Sequence, residues 1–154
     1  SGSGELLLQF NVHDNIIQNN IFVANTQSWL MSNPYTENQN NLVDYNLYFA
    51  PAGETDSEWQ WKNILYQGFD AYRPGTGNDA HSLFLPAQFA DPAANDFHLL
   101  ETSPARDAGD CTHAPTTDFD GDPRPQGSGC DIGADEFVVS LAFDQFIFVP
   151  LVEN

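Results

Sequence analysis

The stretch "DFDGD" sets Asp118, Asp120 and Asp122 on alternate positions around Gly121. Alternating carboxylates in a glycine-containing turn aim hard oxygen donors at one locus, which is the ligand chemistry of calcium. The bidentate Glu that would complete an EF-hand loop is missing, since "PRPQGSGCD" follows. Two outcomes stand: a structural calcium held by Asp118, Asp120 and Asp122, or an Asx-turn loop tied by Arg124 and a disulfide.

Aromatic residues supply the binding candidates. In "EWQWK" an extended backbone puts Trp59 and Trp61 on one side. They would form a flat platform for stacking a sugar ring, with Glu58 and Lys62 at its edge and Tyr48 beside it. The competing expectation is an insertion that packs these aromatics down onto a sheet. Among the four histidines, His81 follows Asp79 by two positions, a spacing that could orient an imidazole, although a turn histidine fits "NDAHS" better. His98 in "DFHLL" reads as an alternating strand position. The chain has no HExxH, no CxxC pair and no Gly-x-Ser-x-Gly elbow. No catalytic residue is assigned.

Lys62, Arg73, Arg106 and Arg124 are the only fixed cations against 22 Asp plus Glu, for a formal net charge of −18. Such a field repels nucleic acid and anionic membrane surfaces. The scattered cations also argue against a complete polyuronate lyase site in these 154 residues. Asp107, Asp110, Asp131, Asp135 and Glu136 read as a structural tail with Arg106 or Arg124 as ion-pair partners. Cys111 and Cys130 flank a Gly-, Pro- and Asp-rich segment and are expected to pair. A disulfide closing a loop of about 20 residues stabilises by about 3 kcal/mol in the chain-entropy view, and points to an extracellular or cell-surface location. "SGSG" reads as a linker or as the middle of a longer protein, with no signal peptide in view.

These residues need elements to position them. "NIIQN" and "NIFVA" are echoed by "NLVDY" and "NLYFA". Pairing Leu7 with Leu30, Ile16 with Leu42 and Ile21 with Leu47 gives units in the twenties, each with three short strands, the period of a β-solenoid. Stacking places Asn20 over Asn46, where amides can bond to one another, and Asn also tolerates the left-handed corners between strands. Residues 1–50 are expected to hold the repeats, 51–80 an insertion with a strand or short helix around Trp59 to Phe69 and a loop at "DAYRPGTGND", 81–137 a capping tail, and 138–154 apolar terminal strands. The last run, with only Asp144 charged in its apolar part, is too short for a comfortable membrane span.

The patterns "NIIQNNIF" and "DYNLYF", followed by "HSLFLPAQFADPAANDFHLLETSPARDAGD" and "TDFDGDPRPQGSGCDIGADEF", resemble the C-terminal end of secreted bacterial proteins of the pectin-lyase-like, right-handed parallel β-helix class. The resemblance implies an all-β chain: the last coils of a right-handed parallel β-helix with an irregular, disulfide-stapled capping tail. It implies a protein that binds or processes polysaccharide, by lyase or glycoside hydrolase chemistry if enzymatic, with the main reacting groups upstream. The alternative is a non-catalytic cell-surface adhesin or assembly module. Its open coil at the Ser1 end would be covered by missing upstream coils or by self-association through the terminal strands.

Overall fold

The computed structural model describes residues 4–139. Its strands are short: β1 (Leu6–Leu7), β2 (Ile16–Gln18), β3 (Ile21–Val23), β4 (Trp29–Ser32), β5 (Leu42–Asp44), β6 (Leu47–Phe49), β7 (Glu58–Trp61), β8 (Ile64–Gln67), β9 (Leu83–Phe84), β10 (Phe89–Asp91) and β11 (Asp96–Leu99), with an α-helix, α1 (Phe69–Thr76), and a single-turn 3-10 helix (Pro92–Ala94) between β10 and β11. They form a four-stranded sheet β1-β4-β7-β8, a three-stranded sheet β3-β6-β9, and two pairs, β2-β5 and β10-β11.

The 26-residue offset is built as a parallel ladder. Ile16 lies opposite Leu42 and Ile21 opposite Leu47. The expected register of Leu7 with Leu30 is corrected, because Leu6 faces Met31 and Leu7 faces Ser32. Asparagines join the layers, as their spacing predicts. The Asn20 backbone N–H and side-chain amide both donate to Asn46 Oδ1, at 3.0 and 3.1 Å. Asn15 donates to Asn41 Oδ1 at 2.8 Å. Corners fall where the backbone turns left-handed, at Asp14, Asn19, Asn40 and Tyr45. A short polar side chain or the stacking of two like corners makes that conformation tolerable.

The expected all-β, right-handed parallel β-helix is corrected. The described residues form four small, separate sheets of mixed sense, with antiparallel pairs β7-β8 and β10-β11, and no solenoid or closed barrel. The physical reason lies after Phe49. The chain reverses at Lys62 and Asn63, both at positive φ, so β8 folds back on β7 as a hairpin. Phe69–Thr76 then winds as α1, in place of the loop expected there, and Gly77 closes it in the left-handed conformation.

Two apolar clusters anchor the sheets. The larger contains Leu30, Met31, Val43, Tyr48, Trp59, Phe69 and Tyr72; the smaller joins Leu47, Leu99, Ala105 and Ile132. The tail is fastened by the Cys111–Cys130 disulfide, as expected from the two cysteines. It is also held by Arg124, whose Nη1 reaches Glu136 Oε2 at 3.1 Å with both side chains buried. Of the apolar terminal strands expected over 138–154, residues 140–154 lie outside the described residues, as do the first three positions at the Ser1 end; residues 138 and 139 are not in a strand. Among the described residues no helix is long and apolar enough to cross a membrane.

Candidate functional site

The expected sugar platform is not at the surface. Trp59 is fully buried, stacked on Tyr72 at 4.7 Å and edge-on to Tyr48 at the same centroid distance. Its indole N–H donates to Ser57 Oγ at 3.2 Å. Trp61 and Tyr48 are buried in the same cluster, leaving only the two edge residues exposed, Glu58 at the start of β7 and Lys62 at the hairpin turn. The alternation did put Trp59 and Trp61 on one face, and that face is the core. Burial of such large rings outweighs a solvent-facing role.

The "DFDGD" carboxylates also part company. Asp118 Oδ1 accepts the backbone N–H groups of Asp120 and Asp122, and Oδ2 accepts that of Glu136. Burial alone would raise the Asp118 pKa, but these backbone N–H bonds hold it below the ordinary carboxylate value. Asp118 therefore organises the loop as an Asx turn, and among the described residues only Asp120 of the three belongs to a group of side chains close enough to share an ion. Asp120 turns instead toward β11, where its Oδ2 lies 2.6 Å from His98 Nε2.

That contact belongs to a different cluster. His98, Asp120 and Asp135 each offer a ligand atom, all within 4.8 Å of one another. On the other side of the ring, His98 Nδ1 meets Asp96 Oδ1 at 2.5 Å. The bonds to Asp96 and Asp120 push the His98 pKa up to about 9, and Asp96 is correspondingly lowered by His98. Asp135 is buried, which raises its pKa, and its Oδ2 accepts the Leu99 N–H at 2.7 Å. A depression of about 230 Å³ adjoins the cluster. In the sequence Asp120 stands out as a ligand, whereas His98 reads as a strand position, which it is, and Asp135 as a tail carboxylate; the available signal was the i, i+2 spacing of Asp96 and His98 on one strand face.

His81 lies in a turn, as "NDAHS" predicts, and the carboxylate beside it belongs to Asp44, not to Asp79. Its Nδ1 lies 2.7 Å from Asp44 Oδ2, while Asp79 turns inward and is fully buried. Arg106 stacks over Phe137 at 4.1 Å.

A cleft of about 670 Å³ runs along β3 and opens beside β10 and β11. Glu5, Asn20, Phe22, Phe89 and Phe97 line it. Phe97 is half exposed and packs edge-to-face on Phe89 at 5.4 Å. β11 thus separates two surfaces: Phe97 faces the cleft, and His98 faces the carboxylate cluster.

No family model matches the chain, and no solved structure matches it. Over 103 residues the chain is 40% identical to a protein of Bacillus subtilis (strain 168) named "Uncharacterized protein YwoF". The match covers 67% of this chain and 22% of that protein, so the chain spans just over a fifth of the length of the curated relative it matches.

Proposed function

We propose that the chain is a module of an extracellular protein that binds neutral polysaccharide in the cleft along β3. The observation that carries this reading is the pairing of an exposed aromatic face, Phe97 supported by Phe89, with the polar groups of Asn20 and Glu5 in one open cleft. A pyranose ring has an apolar face and a rim of hydroxyls, so it needs that combination. The net charge of −18 favours a neutral glycan over an anionic one. The Cys111–Cys130 bridge is compatible with the extracellular compartment.

The test is retention of the chain on immobilised neutral and uronic acid polysaccharides, compared with Phe97→Ala. Neutral glycans should retain the chain, and Phe97→Ala should weaken retention by about 1 to 3 kcal/mol, roughly 5- to 150-fold. Retention unchanged by Phe97→Ala refutes the assignment.

A second reading, an assembly module, is favoured by a separate observation. Among the described residues β1, β2 and β3 are each paired on one side only, and Leu7, Ile16 and Val23 there are 42%, 52% and 44% exposed. Unpaired strand edges carrying apolar side chains invite another strand. No glycan retention together with oligomers that grow with concentration would favour this reading over the first.

A further inference from the structure

We propose that His98, Asp120 and Asp135 bind one divalent transition-metal ion of the zinc class, with Asp96 as the positioning residue. The three ligands come from three separate segments: β11, the loop capped by Asp118, and the 133–136 stretch. Their donor atoms nevertheless converge within 4.8 Å. Asp96 grips His98 Nδ1 at 2.5 Å and leaves Nε2 directed into the cluster. A carboxylate on the far ring nitrogen fixes the tautomer and orientation of a metal-binding imidazole.

Asp135 anchors the third side. It is only 6% exposed and its Oδ2 accepts the Leu99 N–H, which fixes the carboxylate where it borders the cluster. The adjoining depression, lined also by Asp122, leaves room for water to complete the coordination. Donor chemistry selects the ion. Calcium takes six to eight oxygens, whereas one imidazole nitrogen with two carboxylates suits zinc and its neighbours. On binding, the metal takes the place of the proton between Nε2 and Asp120, and that proton leaves to solvent.

The experiment is calorimetric titration of the full chain with zinc sulfate in excess magnesium chloride, repeated with calcium chloride. The expected result is one equivalent of zinc, with a dissociation constant on the order of micromolar. His98→Gln should weaken it at least tenfold and Asp96→Asn by about 10 to 100-fold, while Asp122→Asn changes it little. Circular dichroism checks that each variant is folded. Should His98→Gln fail to fold, cobalt(II) added to the unaltered chain decides: visible absorption bands of a low-coordinate, nitrogen-ligated ion support the site, and the spectrum of hexaaqua cobalt overturns it. Zinc binding that magnesium abolishes, that calcium matches, or that His98→Gln leaves intact also overturns it, as diffuse attraction to a highly acidic chain.

Discussion

Asp79 is held in the core by hydroxyls and an amide in place of a cation. It accepts from Ser82 Oγ at 2.6 Å, Tyr72 OH at 3.0 Å, Tyr48 OH at 3.2 Å and Asn46 Nδ2 at 3.3 Å. Burial pushes its pKa up from the ordinary 3.8 to about 6, against the lowering effect of those four donors. The folded chain therefore holds a proton on Asp79 at pH values where the unfolded chain has lost it. The stability linked to this proton is complete below about pH 4 and is lost as pH rises through about 6, a total of about 3 kcal/mol. Tyr48 and Tyr72 titrate well above their ordinary values because of burial, outside this window. Asp107, Asp110 and Asp118 are lowered and act with the opposite sign, so the group is isolated by comparing the chain with Asp79→Asn. Urea unfolding from pH 4 to pH 8 should show the unaltered chain losing about 3 kcal/mol more than the variant across that range. Parallel pH profiles for the two would contradict this account.

Elements in this chain are set by amides as much as by apolar residues, and the two layers of asparagine are unequal. Asn46 is fully buried; its Oδ1 serves two Asn20 donors and its Nδ2 donates to the Ile17 carbonyl at 3.0 Å. Asn15 makes a similar contact to Asn41 but is exposed, where water can replace it. Asn46→Ala should therefore cost about 2 to 4 kcal/mol and Asn15→Ala less than about 1 kcal/mol, read from urea unfolding; equal costs would mean that the ladder itself is of little consequence. The repeated asparagines and apolar pairs made the β2-β5 and β3-β6 registers legible from sequence, because each corner and each amide has one counterpart 26 residues on. In "ELLLQF" three successive leucines offer several registers, so the match of Leu7 to Leu30 had nothing to fix it. The Lys62–Asn63 turn lacks the Asn-Gly signal of a tight hairpin, and α1 contains Pro74 and Gly75, both poor helix formers. That helix forms because Phe69 and Tyr72 are buried with Trp59, a tertiary cause no local pattern displays. The same holds for the candidate metal cluster. Asp120 is visible in "DFDGD", but His98 lies 22 residues away and only chain folding brings it near.

At the scale of the whole molecule, the acidic tail must be kept against a body of the same sign. Asn19 clamps it at one point, donating to the Asp110 carbonyl at 2.8 Å and accepting from the Asp110 N–H at 2.9 Å. Gly109 allows this approach, since a Cβ there would lie 2.9 Å from the Cys130 carbonyl oxygen and 3.0 Å from Asn19 Oδ1. Arg124 and Glu136 form a second fastening and the Cys111–Cys130 bridge a third. Hydrogen bonds and one buried ion pair act only once the tail has docked, whereas the disulfide also restricts the unfolded chain, with 19 residues of sequence separation. Replacing both cysteines by serine should lower stability by about 3 kcal/mol, which for a chain of this size is a fall of about 6 to 12 °C in Tm. The loss should be larger at low ionic strength, because salt screens the repulsion that a net charge of −18 imposes on the compact state. Calorimetric melting of the two chains at low and high salt checks both parts. A serine variant that melts with the unaltered chain would show that Asn19 and Arg124 suffice to hold the tail. A fall independent of salt would separate the entropic role of the bridge from any electrostatic one.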